Sequence, residues 1–342
     1  MRLFLIRHGE TVDNIAQVYA GSRDSELTNH GVQQAQRLGR YFNTTGVRFT
    51  HLFSSHLQRA YKTAEYIRSA QASEDGDTDS ANAIQVQQLP ILMEQDFGWY
   101  EGKTWHDKPK KSEKSSKEIF QEEKQNNPDF VDMESKESLA KRADGFLDEH
   151  LTPLLEYSNP ENDLIIAVVS HGIMLTHLWR RLLLRLPPHS VRLTPELLAN
   201  QRMIILEHLG GWSNTGFLEL EMNKTRAVER SPPDDTVEGP ANSVPDEVAK
   251  ALEEAIVDDV ITSNEGRNRV SSPNPSKSIP SSTESPTTTT APRLLHGWTT
   301  TIKVINGREH VKGLKRTGGG VGSSKHDGSQ KSLESFFKRK KL

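Results

Sequence analysis

Cysteine is absent from this 342-residue chain, which excludes disulfides, thiol nucleophiles and thiolate metal sites. Long apolar runs are missing too. No stretch approaches the roughly 18 apolar residues of a membrane span, and the opening MRLFLIRHGE carries Arg2 and Arg7, so its apolar run is too short for a secretory leader. The chain is therefore expected to be soluble and intracellular, cytoplasmic and/or nuclear, with no membrane partner. Neither sign of charge dominates: 43 Lys and Arg against 46 Asp and Glu leave a net charge of -3, which implies no general attraction to nucleic acid. Hydrophobic residues make up 34% of the chain and mean hydropathy is -0.66. That is enough for one sizeable core, but not for one that takes in the whole length.

What is present is an alternation of strand and helix signals. Residues 2–6 (RLFLI) are nearly all apolar and end at His8-Gly9, as expected of a strand buried on both faces and closed by a tight turn. A second such run, Leu164 to Val169, ends at Ser170-His171-Gly172. Between them, Thr28 to Phe42 opens on a Thr cap and carries Val32, Ala35, Leu38 and Phe42 on one face, and Leu57 to Ala70 follows Ser54-Ser55. Further strands are expected at Met203 to Leu206 and Gly216 to Glu221. The alternation predicts an α/β fold with a largely parallel sheet.

Two insertions and a tail interrupt the pattern. Residues 71–83 are small and acidic, which predicts a surface loop, and residues 103–130 are rich in lysine and glutamate, with Trp105 and Phe120 as isolated anchors of a candidate lid. The folded domain is expected to span 1–225. Residues 226–342 are rich in Pro, Ser, Thr and Asn, and such a composition predicts a mostly disordered tail. Two exceptions are expected within it: a helix over 243–261, and a short strand or docking segment over Leu294 to Ile305.

The chemistry is concentrated in RHGET, Arg7 to Thr11, with Asn14 and Gly21 following. An imidazole attacks phosphorus only as the neutral base, and an adjacent guanidinium offsets the phosphate charge that repels it. Gly9 lets backbone amides approach phosphate oxygens. Alone, an Arg-His-Gly triplet is more often a strand-ending turn. Here four further elements follow in order: LTNHGVQQAQRLG at Leu27 to Gly39, SSHLQRAYKTA with Arg59, LMEQDFGWYEG with Glu94, and VVSHG with His171 and Gly172. MESKESLAKRADGFLDE, Met133 to Glu149, precedes the last of these.

Over residues 1 to about 222 this set resembles the histidine phosphatase superfamily, the phosphoglycerate-mutase-like enzymes. The resemblance implies a three-layer α/β fold with both His-Gly turns at the carboxyl ends of adjacent parallel strands. It implies a phosphohistidine intermediate on His8, with Arg7, Arg59 and His171 holding the transferring oxygens and Glu94 passing protons to the leaving group and from water. Glu94 would have to hold a proton near neutrality, with Phe97, Trp99 and Tyr100 excluding water around it; Asp96 and Glu101 are rival acids. Asn14, Gly21 and Gly172 would line the phosphate pocket. No metal and no cofactor is implied. Ala20 departs from the small hydroxyl residue that mutases of the family tend to carry there. Trp179-Arg180-Arg181 is the wrong place for the mutases' lid triplet, and the lid here has lysines (103, 108, 110, 111 and 114) without arginine. Hydrolysis of a small phosphorylated substrate is therefore favoured over mutase transfer. Phosphosugars, nucleotides and phosphoproteins stay open, and His51, His56 and His106 receive no role.

The last residues introduce a separate theme. Gln330, Leu333, Phe336 and Phe337 follow a Q-x-x-L-x-x-F-F spacing that resembles the PIP box by which proteins dock on the sliding clamp PCNA. One helical turn would gather the three apolar side chains into a plug. Lys338 to Lys341 is a candidate nuclear localisation cluster. A domain retained as a clamp-tethered adaptor is the competing reading to an enzyme.

Overall fold

Strand β1 (Arg2–Arg7) is apolar along its length because both its faces are covered. Leu3 and Leu5 enter one core and Phe4 and Ile6 the other, the two-residue period of an extended chain. This computed structural model describes residues 1–71, 84–105, 116–156, 164–200, 204–224 and 295–328. After β1 come α1 (Val12–Ala16), α2 (Asn29–Thr44), β2 (His51–Ser54), α3 (Gln58–Ser69), β3 (Val86–Gln88) and α4 (Ser116–Asn126). Next is α5 (Lys136–Phe146), which passes through a π turn at Leu147–Leu151 into α6 (Thr152–Glu156). The remainder is β4 (Ile165–Ser170), α7 (Gly172–Leu183), β5 (Val191–Leu193), α8 (Pro195–Asn200), β6 (Phe217–Lys224) and β7 (Trp298–Gly307).

The seven strands form one mixed sheet in the order β3-β2-β4-β1-β6-β7-β5. The four strands β3, β2, β4 and β1 are mutually parallel, whereas β6 runs antiparallel to both β1 and β7. Helices α5 and α7 cover one face through Leu139, Phe146, Leu175, Leu178 and Trp179. Helices α2 and α3 cover the other through Leu38, Phe42, Ala64 and Ile67. The result is a three-layer α/β arrangement with a mostly parallel mixed sheet, as the sequence predicts.

Register decides where chemistry can occur. Arg7 lies opposite Ser170 in the parallel β1–β4 ladder, so His8 and His171, the next residue on each strand, leave the sheet side by side at its carboxyl edge, where open α/β sheets bind ligands.

Two features differ from the sequence reading. The expected strand at Met203 to Leu206 is instead a turn: Ile205 makes only an isolated bridge to His208 and stays exposed, while the Leu206 carbonyl accepts the indole N–H of buried Trp179. Met203 lies outside the described residues. The folded domain also does not end near 225, because β7 adds to the sheet along the whole of β6 and residues 295–328 belong with 1–224 in one unit. Of the Leu294 to Ile305 segment, expected as a short strand or a docking segment, residues from Trp298 onward form strand β7, which runs on to Gly307; Leu294 lies outside the described residues. The expected helix over 243–261 and the Q-x-x-L-x-x-F-F segment lie outside the described residues.

Candidate active site

His8 closes β1 and is almost wholly buried. Its Nδ1 lies 2.7 Å from the Gly9 carbonyl oxygen, and an acceptor there requires Nδ1 to carry the proton. Nε2 is then the nitrogen with a free lone pair. Burial pushes the His8 imidazole well below its usual value, the Arg59 and Arg7 guanidiniums push it the same way, and the Gly9 hydrogen bond opposes them without prevailing. A neutral ring with a defined tautomer is what a nitrogen nucleophile requires.

The His171 ring centroid lies 5.0 Å from that of His8. Arg59, on the first turn of α3, donates Nε–H to His171 Nδ1 at 3.1 Å. Burial, then Arg59, His8, Arg7 and Arg142, hold His171 well below its ordinary value. Since Nδ1 accepts from Arg59, the ring's proton sits on Nε2 and His171 can act as a donor there. Its Nε2–H is buried without a protein partner, and so is Nε–H of Arg7. Both are placed to meet an anion. Arg7 donates Nη1–H to the Trp212 carbonyl at 2.5 Å; burial lowers its guanidinium from the usual value and the Glu94 charge acts in the opposite sense. Arg59 is more committed than a free phosphate ligand would be: Nη1 donates to the Arg23 carbonyl and Nη2 to those of Ala20 and Gly21.

Glu94 meets the amino end of α7. Its Oε1 accepts the backbone N–H of Gln95 and Met174, each at 3.0 Å, and its Oε2 accepts that of Ile173 at 3.2 Å. A Cβ added to Gly172 would stand 3.9 Å from Arg7 Nε and 4.0 Å from Glu94 Oε2, so this glycine sits between guanidinium and carboxylate and leaves that space open. The rival acids have other work. Glu101 accepts the N–H groups of Gly21, Ser22 and Phe97, and Asp96 accepts that of Gly98. Nor do the aromatics that were to surround Glu94 make their ring contacts there. Phe97 packs on Tyr19, Trp99 on Phe130, and Tyr100 on Phe120 of the lid.

Asn14 is linked to the nucleophile through a residue the sequence did not single out: Asn214 donates Nδ2–H groups to the His8 carbonyl and to Asn14 Oδ1. Gly21 lies beneath Arg59, and a Cβ there would come 1.9 Å from the Gln95 carbonyl oxygen. Two further residues escaped the sequence reading. Arg142 on α5 donates to the carbonyls of Ile91, Met93 and Glu94 and forms a two-point pair with Glu134, fixing the segment that bears Glu94. Their signal is the MESKESLAKR run, in which Glu134 and Arg142 lie eight residues apart. Lys103 of the lid lies 3.4 Å over the Trp99 ring, a cation–π contact; Lys108, Lys110, Lys111 and Lys114 lie outside the described residues. Arg180 donates to the Glu207 carbonyl and Arg181 to Asp144. Among the described residues no group of three His, Asp or Glu side chains is arranged to hold a metal ion, and no helix is long and apolar enough to cross a membrane.

Residues 3–225 match the model of the histidine phosphatase superfamily, branch 1, and the chain belongs to that family. It is 28% identical over 172 residues to a broad-specificity phosphatase of Saccharomyces cerevisiae, covering 50% of this chain and 66% of that one. It is 30% identical over 189 residues to the adenosylcobalamin/alpha-ribazole phosphatase of Escherichia coli, covering 54% and 79%. A shorter stretch of 70 residues is 43% identical to a probable phosphoglycerate mutase of Proteus mirabilis, covering 20% and 32%. The chain thus spans just under two thirds of the yeast relative and about a third of the mutase.

Proposed function

We propose that this protein is a phosphomonoester hydrolase that works through a phosphohistidine on His8. The observation that carries the reading is the pairing of His8, whose Nδ1 is tied to the Gly9 carbonyl so that Nε2 faces the attack, with two buried donors, Arg7 Nε–H and His171 Nε2–H, that have no protein acceptor. His8 Nε2 attacks phosphorus while Arg7, His171 and the remaining Arg59 N–H stabilise charge on the equatorial oxygens. Glu94 gives its proton to the departing alkoxide, then removes one from the water that cleaves the N–P bond, which returns His8 and releases phosphate. The charge is met by guanidinium and imidazole groups, so the route needs no metal and no cofactor. Asn14, Gly21 and Gly172 complete the pocket around a small phosphorylated substrate, whether phosphosugar, nucleotide or phosphoprotein.

Hydrolysis is preferred to mutase transfer because the lid segment carries lysines without arginine and because the two longer matches described above are to phosphatases. Turnover of p-nitrophenyl phosphate by the full chain, unaffected by EDTA and abolished in His8→Ala, is expected; equal activity in His8→Ala would remove the proposal. Phosphoglycerate isomerisation exceeding phosphate release would reverse the choice between the two reactions.

The tail adds a second layer to this reading. Gln330, Leu333, Phe336 and Phe337 form a PIP-box-like docking motif for the sliding clamp PCNA, and Lys338 to Lys341 favour a nuclear pool beside a cytoplasmic one. Support comes from the match at all four positions and the basic flank. A peptide of residues 325–342 is expected to bind the clamp and to lose that binding in Phe336→Ala/Phe337→Ala; equal affinity of both peptides would dismiss the motif, and an inactive full chain that still binds would favour the adaptor.

A further inference from the structure

Residues 295–328 lie beyond the stretch matched by the family model, yet they grip the catalytic turn on two sides. The first grip acts on the loop before β6. Asn306, at the end of β7, accepts the Ser213 N–H at 2.9 Å through Oδ1 and donates Nδ2–H to Ser213 Oγ at 3.1 Å. The same loop holds the turn directly: the Trp212 carbonyl accepts Arg7 Nη1–H, and Thr215 N–H donates to the carbonyls of both Arg7 and His8, each at 3.1 Å. Thr215 is in the left-handed region at φ 56°, a conformation that costs a β-branched residue energy and persists only where neighbours impose it. His310 is one of those neighbours, with Nε2 2.8 Å from Thr215 Oγ1. The threonine hydroxyl already donates to the Asn214 carbonyl, so His310 must be the donor.

The second grip acts on Glu10, two residues past the nucleophile. Arg316 makes a two-point pair with its carboxylate, Nη1 lying 2.7 Å from Oε1 and Nη2 on Oε2. Thr28 donates its hydroxyl to the same Oε1 at 2.8 Å. The segment then runs along the start of α2, where Asn29 N–H donates to the Ser324 carbonyl and His326 N–H to that of Leu27. An ordinary surface strand has no need to converge on one buried turn from both directions.

We propose that this returning segment is a strap on the catalytic turn, and that Asn306, His310 and Arg316 are positioning residues that orient Arg7 and His8. They touch no substrate. They act through Ser213, Thr215 and Glu10, and the proposal rests on the phosphatase reading for its kinetic test. Small displacements of groups that meet transition-state charge have large effects on rate, about a hundredfold for an ångström.

The test uses the full chain with Asn306→Ala, Arg316→Ala and Arg316→Lys, and with Lys303→Ala as a control on an exposed β7 residue that pairs with Glu221 instead of the turn. Each is assayed at a temperature where circular dichroism shows it folded, with kcat normalised to the phosphohistidine formed in the first turnover. Asn306→Ala and Arg316→Ala are expected to lower kcat at least tenfold with KM changed less than threefold, Arg316→Lys to recover part of the loss, and Lys303→Ala to match wild type. An unchanged kcat in both alanine variants, or an equal loss in Lys303→Ala, overturns the strap. If wild type itself does not turn over, it is the phosphatase reading that fails. The strap is then judged on the Arg7 Nε–H and His8 ring signals of nitrogen-labelled chain, which must shift in Asn306→Ala and Arg316→Ala but not in Lys303→Ala; unshifted signals overturn it.

Discussion

Arg59 donates its Nε–H to Nδ1 of His171 at 3.1 Å, and that bond fixes which nitrogen of His171 can serve an anion. A guanidinium cannot accept, so Nδ1 must be bare and Nε2 must carry the proton. Arg59→Ala removes this constraint and also releases the carbonyls of Ala20, Gly21 and Arg23. A fall in kcat/KM of about 10²–10³ is expected, the size of losing one preorganised donor or more. Arg59→Lys should recover little, since a lysine ammonium lacks the planar fork that reaches both the ring and the loop. Activity within tenfold of wild type in Arg59→Lys would contradict this account.

The rate should hold up in mild acid. A histidine nucleophile is lost when protonated, and an ordinary one is half protonated near pH 6.5. Burial and two guanidiniums place His8 well below that value, so the ring stays neutral as pH falls through 6.5. The acid limb of kcat/KM, corrected for the substrate's own ionisation near pH 6, is expected to lie clearly below pH 6.5. A limb at 6.5 or above would mean that His8 is solvated and that the burial argument is wrong.

Much of this site was legible because its parts are strand ends. Two apolar runs closing in His-Gly specify two buried strands, and parallel pairing with Arg7 opposite Ser170 then brings the two histidines together. Arg59, Glu94 and Gly172 came from the family resemblance, and the geometry places all three beside them. What stayed hidden depends on contacts across the sequence. Asn214 and Thr215 sit in an irregular loop with no periodicity, and Glu10 gains its meaning from Arg316, 306 residues later. The strand at Met203 to Leu206 failed because four apolar residues say nothing about a partner, and there the indole of Trp179 takes the backbone carbonyl instead. Strand β7 was in view as a possible strand, but its Thr-rich sequence does not say which edge it joins.

Buried histidines should make the fold acid-sensitive. His177 and His310 are lowered to about 4, burial being the main cause in each, and His8 and His171 also lie well below the ordinary value. Between pH 4 and 6.5 the unfolded chain binds more protons than the native one. Stability is therefore full above about 6.5 and declines as pH falls, by on the order of 1 kcal/mol per pH unit per histidine. Urea midpoints at pH 7.5 and pH 5 are expected to differ markedly. His177→Gln should narrow the gap, since position 177 then no longer titrates; an unaltered gap would assign the acid sensitivity elsewhere.

Glu94 and Glu101 lie seven residues apart and can be told apart by the substrate's leaving group. A proton donor matters when the departing oxygen is a poor leaving group and matters little when it is a stabilised phenoxide. Glu94→Gln is therefore expected to cost about 10²–10⁴ in kcat on an alkyl phosphate such as a sugar phosphate, and far less on p-nitrophenyl phosphate. Glu101 instead holds the N–H groups of Gly21, Ser22 and Phe97. Glu101→Gln keeps one acceptor oxygen but loses the charge, which should loosen the 20–23 loop and weaken Arg59 equally for both substrates. A leaving-group dependence in Glu101→Gln, with none in Glu94→Gln, would move the proton transfer from one carboxylate to the other.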